Sequence, residues 1–287
     1  MNSKRFKSAI KRLLPNKKVN VSLFIVGAQK AGTSALHNYL IKHPYIQGGV
    51  KKEINFFNHR DKLSKGVNWY HKQYSPVLFY KPKPIYIDST PQYLNDINIA
   101  EKIHEYNPNS KIVILLREPV SRAFSAWNMY RQFSELNAEE KNKLIEHHVS
   151  LDLINKFRNL IDQSPFPSFD AFIERELTSS SSVDTYPNIL KRGVYVDQVK
   201  AYLDTFGLDN VMIFESNYFK NNKVEVTNSI LGFLGLSNLN LKEDRLKPIH
   251  SRKYESPISM TAKEKLKEYY KPYNESLFTL INQKFDW

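Results

Sequence analysis

Gly27 and Gly32 bracket the run Ala28-Gln29-Lys30-Ala31, and Thr33 and Ser34 follow at once. An apolar, strand-like segment (Val21–Val26) leads in, and a helical pattern begins at Thr33. This is the order of a phosphate cradle. Glycines let the backbone approach an anion, and amides at a helix start face it with the positive end of the dipole. Thr33 and Ser34 add hydroxyl donors, and Lys30 adds a full positive charge. An ordinary tight strand-to-helix turn is the alternative, and it leaves Lys30 unexplained. The loop departs from the nucleotide-binding pattern GxxxxGK[ST]. Gly27, Gly32 and Ser34 fit it, but Thr33 stands where that pattern has lysine. Asp88 is the one strand-end acid suited to magnesium. A magnesium-dependent P-loop nucleotide kinase is thus a competing reading, at odds with the loop.

A second anion site is legible downstream. Lys111–Leu116 is an apolar run ending in Arg117-Glu118-Pro119, with Ser121, Arg122 and Ser125 behind it. Arg117 leaves the carboxyl end of a strand, where open parallel sheets take ligands. Ser121 and Ser125 lie one helical turn apart. A guanidinium with a serine hydroxyl suits a phosphate. Read alone, an Arg117–Glu118 pair beside a capped helix is the simpler account. Between the two sites lies Lys51-Lys52-Glu53-Ile54-Asn55-Phe56-Phe57. Flanking ammonium groups favour a charged carboxylate, as a general base requires. Read alone, a solvated charge run before two core phenylalanines explains it more simply.

These residues need a frame. Short apolar runs at Val21–Val26, Ile85–Asp88, Lys111–Leu116 and 210–214 read as buried parallel strands. Helical patterns at Thr33–Lys42, Asn98–Tyr106, Ser121–Phe133, 194–206 and 224–234 alternate with them. Strand alternating with helix predicts an α/β fold: a parallel sheet flanked by helices on both faces. Residues 134–185 carry no strand signal and read as a helical excursion closed by the serine-rich loop at 178–182.

Composition sets limits. The 287 residues hold 42 Lys plus Arg against 29 Asp plus Glu, a net charge of +13. That balance favours an anionic ligand. Lysine is spread along the chain, so nucleic-acid binding is not inferred. A non-catalytic binder of acidic glycans or nucleic acid is a third reading, which predicts steep salt dependence. With no Cys, disulfide scaffolds, thiolate zinc sites and cysteine nucleophiles are excluded. The eight histidines show no metal spacing, and His147-His148 reads as a surface pair. No apolar stretch approaches the roughly 20 residues of a membrane span. Residues 1–18 read as a basic N-terminal arm. Phe6, Ile10, Leu13 and Leu14 share one helical face of it, a pattern suited to peripheral contact with an anionic membrane. Residues 19–287 read as a single domain.

The order of GAQKAGTSAL (Gly27–Leu36), KKEINFF (Lys51–Phe57) and LLREPVSRAFSAW (Leu115–Trp127) resembles the sulfotransferases that use 3′-phosphoadenosine 5′-phosphosulfate, PAPS. The heparan sulfate branch and its bacterial relatives look most similar. YIDSTPQYL (Tyr86–Leu94), Arg192-Gly193-Val194-Tyr195, Ser251-Arg252-Lys253-Tyr254 and the terminal Lys284-Phe285-Asp286-Trp287 continue the likeness. The resemblance implies a P-loop-like fold, PAPS as co-substrate without a metal, and adenosine 3′,5′-bisphosphate as product. It implies Glu53 as catalytic base and Lys30 as the cation on the leaving phosphate. Lys30, Ala31, Gly32, Thr33 and Ser34 match the 5′-phosphate loop, and Arg117 and Ser125 match the 3′-phosphate clamp. Tyr195 matches a tyrosine near the nucleotide, and Ser251, Arg252 and Lys253 match a loop that closes over it. Two positions depart from the pattern of the branch. Asn55 replaces a histidine two residues after the glutamate, and Asp88-Ser89 replaces a Glu-Lys pair. Lys52, Asn55, Asp88, Ser89 and Trp69 are the expected acceptor contacts, with His59, Tyr70, Tyr93 and the 179–186 loop beside them. The implied acceptor is a carbohydrate hydroxyl or amine, or else a lipid, sterol or other small alcohol. The expected setting is a bacterial cytoplasm, with peripheral contact at the inner face of the membrane.

Overall fold

The computed structural model of the chain describes residues 19–75, 83–179, 186–240 and 257–287. The basic arm at 1–18 and the expected nucleotide loop at Ser251, Arg252 and Lys253 lie outside them. Strand β1 (Val21–Gly27) leads into helix α1 (Thr33–Leu40). Strand β2 (Ile46–Gly48), the short helices α2 (Arg60–Leu63) and α3 (Gly66–His71), and strand β3 (Ile85–Asp88) follow. Helix α4 (Asn98–Tyr106) returns the chain to β4 (Lys111–Leu116), and α5 (Pro119–Ser134) leaves it. Helices α6 (Ala138–His148), α7 (Ile154–Ile161) and α8 (Phe169–Thr178) form the excursion. Helix α9 (Val196–Phe206) precedes β5 (Val211–Glu215), and α10 (Ser216–Asn221), α11 (Lys223–Phe233) and α12 (Met260–Ile281) end the described chain.

The five strands are all parallel, in the order β2-β3-β1-β4-β5. The central strands β1 and β4 are apolar throughout because helices cover the sheet. The α/β expectation and the helical excursion are met. Strand β2 was not legible in the sequence. It is three residues long with one buried apolar side chain, and it exists because Ile46 registers against Ile85. Helix α12 was not expected either; its burial is confined to Ala262, Leu266, Tyr270 and Leu277.

Two apolar clusters organise the chain. One surrounds the sheet, with Leu23, Phe24, Ile25 and Ile112–Leu116 at its centre. The other joins α5, the excursion helices and the start of α12 through Phe124, Trp127, Phe157, Phe172 and Leu266. Helix α5 follows β4 directly and lies in the second cluster from Val120 to Tyr130, so it ties the excursion to the end of that strand. Glu118 caps it, accepting from the amides of Val120 (3.0 Å) and Ser121 (2.7 Å). Gly27 ends β1 where the turn at Tyr93–Asn95 crosses it. A Cβ there would stand 2.5 Å from the Leu94 side chain.

A buried carboxylate fixes the middle of the fold. Asp88 ends β3 at 1% exposure. Its Oδ2 accepts from the hydroxyls of Tyr70 (2.8 Å) and Tyr93 (3.0 Å), and its Oδ1 from Thr90 (2.7 Å). Burial raises its pKa, and the three hydroxyls oppose that rise. The Tyr93 oxygen also accepts from the amides of Phe56 (3.0 Å) and Phe57 (3.4 Å). Asp88→Ala strands these hydroxyls in an apolar core. We expect it to cost about 3 kcal/mol, read as a lower urea midpoint; an unchanged midpoint would remove Asp88 from this role.

Candidate active site

The sheet brings the sequence motifs to one edge. The loop at 28–32 follows the carboxyl end of β1, Asp88 ends β3, and Arg117 follows β4. Loop geometry is set by two left-handed residues, Lys30 (φ 73) and Gly32 (φ 103). Gly32 is exposed and stands at the N-cap of α1. No side chain caps that helix, and no acid lies in its first turn. Its leading amides therefore offer unanswered donors to an anion. Arg117 donates from Nη1 to the Lys30 carbonyl (3.0 Å), tying the end of β4 to the loop. Ser216 braces the same loop by donating to the Ala31 carbonyl (2.9 Å). Thr33 is buried and Ser34 half-buried.

The remaining nucleotide expectations fall around Arg117. Ser125 lies on α5 at 4% exposure. Tyr195 is buried and donates to the Arg117 carbonyl (2.9 Å); burial pushes its hydroxyl up to about 12. The turn leading to it is pinned by Glu176, which accepts from the amides of Ile189 (2.9 Å) and Leu190 (2.7 Å). Arg122, fully buried, donates to the Ile189 carbonyl, and its Nε and Nη1 have no partner.

Glu53 stands on the loop between β2 and α2. Its backbone is left-handed (φ 63), as is that of Asn55 (φ 58). Non-glycine residues seldom adopt this conformation, and such strain gathers at functional sites. Lys52 Nζ lies 2.5 Å from Glu53 Oε1, and His148 Nδ1 lies 3.9 Å from Oε2. His148 ends α6 and is exposed, as the surface reading expects, while its ring also approaches the carboxylate. Its approach depends on where the excursion folds, which periodicity does not reveal.

A cavity of about 330 Å³ contains Glu53. Gln29, next to Lys30, lines it, as do Asn58, His59, Gln92 and Arg192. Arg192 Nη1 donates to Gln29 Oε1 (3.4 Å), joining the cavity wall to the loop. Of the expected acceptor contacts, only Lys52 is at Glu53 with atoms exposed. Asn55, Asp88 and Ser89 are 0–2% exposed and line no part of this cavity. Their polar groups are spent beneath the Glu53 loop. Asn55 donates to the Glu53 carbonyl (2.9 Å), and Ser89 meets His37 Nδ1 (2.8 Å). Trp69 packs on Phe56 instead, with ring centroids 6.2 Å apart. Tyr70 and Tyr93 hold Asp88, whereas His59 and Tyr186 do reach the cavity.

The sequence profile of the sulfotransferase domain matches residues 21–275. The chain belongs to the sulfotransferase domain family. Among its relatives is a membrane-associated sulfotransferase of Dictyostelium discoideum, kil1, 24% identical over 93% of this chain and 66% of that protein. The mouse heparan sulfate glucosamine 3-O-sulfotransferase 5 is 36% identical over 42% of this chain and 32% of that protein. The chain thus spans between about a third and two thirds of these relatives' length. A crystal structure of a sulfotransferase from Alicyclobacillus acidocaldarius has a TM-score of 0.66 at 24% identity. It covers 93% of this chain and 98% of that one, and so supports the P-loop-like fold. Among the described residues no helix is long and apolar enough to cross a membrane.

His37 gives the stability of this sulfotransferase-family fold a pH dependence. It is buried against Ser89, and its pKa falls to about 4 through burial first, then the Lys52 ammonium, with Glu53 opposing. The unfolded imidazole protonates near 6.5, so the unfolded chain binds the extra proton first. Stability is therefore held above pH 6.5 and lost as pH falls from there to about 4. His59 follows the same sign, lowered to about 4 by burial and then Lys62. Urea midpoints measured across that window should fall with pH, and His37→Gln should flatten the slope by up to about 1.4 kcal/mol per pH unit. An identical slope in the variant would clear His37 of this role.

Proposed function

We propose that the protein is a sulfotransferase that moves the sulfuryl group of PAPS to a hydroxyl or amine of its acceptor. One observation carries the reading: a single cavity is lined both by Glu53 and by Gln29, the neighbour of Lys30 in the anion loop. A base and a leaving-group cradle on one cavity are what in-line transfer needs.

The loop from Lys30 to Ser34 suits the 5′-phosphate, through its exposed glycine, uncapped helix start and lysine. Ala31 serves through its backbone, since its side chain is buried. Arg117 and Ser125, beyond β4, would take the 3′-phosphate, with Tyr195 holding Arg117 by its carbonyl. Ser251, Arg252 and Lys253 keep the role the resemblance implies, closing over the nucleotide. Two separated phosphate sites fit a bisphosphate nucleotide.

Glu53 removes the acceptor's proton as the acceptor oxygen or nitrogen bonds to sulfur. The sulfur–oxygen bond to the 5′-phosphate breaks, and its electron pair stays on the phosphate. Lys30 and the leading amides of α1 stabilise that growing charge. Lys52, 2.5 Å from Glu53 Oε1, orients the carboxylate. The products are the sulfated acceptor and adenosine 3′,5′-bisphosphate. Asn55, Asp88 and Ser89 act as positioning residues under the Glu53 loop, not as contacts to the acceptor.

Calorimetric titration with adenosine 3′,5′-bisphosphate, without metal, should give saturable binding that Lys30→Ala weakens. Binding of ATP with magnesium alone would instead favour a nucleotide kinase and end the sulfotransferase reading. Glu53→Gln should keep bisphosphate affinity while turnover drops about 100-fold or more. Full turnover in that variant would mean that another group takes the proton.

A further inference from the structure

The cavity at Glu53 has two unlike ends. Around Glu53 the wall is polar, and several buried atoms there have no partner within the protein. They are Asn58 Oδ1, His59 Nδ1 and Gln92 Oε1, with Arg192 Nε beside them. Buried polar atoms are rarely left unanswered, so a polar ligand group is expected among them. The opposite wall comes from the excursion and is apolar. Met129 and Phe133 of α5, Leu144 of α6, Val149, Leu153 and Phe157 of α7 form it. All but Phe157 keep part of their surface uncovered by protein. Leu151, beside this wall, is 67% exposed.

Charge in the cavity runs against the charge of the chain. The chain carries +13, yet the described lining holds two acids, Glu53 and Asp96, against one arginine, Arg192. Arg192 already donates to Gln29. His59 stays neutral near pH 7, since burial holds it at about 4. An acidic polysaccharide is drawn to such a protein's surface, but among the described lining it meets one arginine, Arg192, against two acids. The volume of about 330 Å³ is at the lower end of the roughly 300–1,000 Å³ of small-molecule sites.

We infer that the acceptor is a compact alcohol with a hydrocarbon body, its hydroxyl at Glu53 and its body against the α5–α7 wall. This inference rests on the sulfotransferase reading above. The hydroxyl donates its one hydrogen to Glu53 while its oxygen accepts from Arg192 Nε, and the body covers Phe133, Leu144 and Leu153. Burying that apolar surface supplies the affinity, and the polar end supplies orientation.

The test is equilibrium binding to protein saturated with adenosine 3′,5′-bisphosphate. The probes are 1-octanol, glucose and a desulfated heparan tetrasaccharide. 1-Octanol should bind about ten-fold or more tightly than either sugar, in keeping with burial of several methylenes. Leu144→Glu places a charge in the apolar wall and should weaken 1-octanol about ten-fold or more. Bisphosphate affinity, unchanged in the variant, reports that it folds; Phe133→Ser serves as a second wall variant. Tighter binding of the tetrasaccharide than of 1-octanol would overturn the inference. So would 1-octanol binding that neither wall variant disturbs. Failure of the bisphosphate to bind wild-type protein strikes the PAPS reading separately, because 1-octanol can still be titrated against the cavity alone.

Discussion

The site hangs on one buried carboxylate. Asp88 ends β3 in the core and gathers the hydroxyls of Tyr70, Tyr93 and Thr90. Tyr93 passes that anchor on to the amides of Phe56 and Phe57, and Thr90 accepts weakly from the amide of Asn55 (3.4 Å). The loop that presents Glu53 is thereby fastened to the sheet from below. A buried charge is tolerable only when its hydrogen-bonding capacity is filled. The same bonds that satisfy Asp88 therefore fix the height of Glu53.

Strain is concentrated at the candidate site. Lys30, Glu53 and Asn55 are all left-handed without being glycine. Such residues persist only when their surroundings over-determine them. Here the bracing is visible. Arg117 holds the Lys30 carbonyl, Asn55 holds the Glu53 carbonyl, and Lys52 holds the Glu53 side chain. Binding a small anion and removing one proton both depend on such fixed positions.

The excursion adds a second wall to the site at the strand ends. Helices α6 and α7 carry apolar side chains to Glu53 and bring His148 within 3.9 Å of it. Their anchor is the second apolar cluster, shared with α5, α8 and α12. The anion loop and Glu53 come from the strand ends, and the apolar wall of the cavity comes from the excursion.

The alternation of apolar runs and helical periodicity determined the α/β class, because buried parallel strands and covering helices each impose a local pattern. The loop at Gly27–Ser34 was legible for the same reason, as a short contiguous motif, whereas Glu53 and Arg117 had simpler accounts when read alone and stood out only through the order of the motifs. Strand β2 and helix α12 were not legible, since pairing with β3 makes the first and a few widely spaced buried residues hold the second. Asp88 and Ser89 looked like acceptor contacts from their place beside the motif. Only the packing of Tyr70, Tyr93 and His37 around them put both beneath the site. His148 and the α5–α7 wall lie about a hundred residues from Glu53 in sequence and touch the same cavity. Contacts of that separation leave no local period in the chain, so the sequence specified the local motifs and tertiary packing decided what surrounds them.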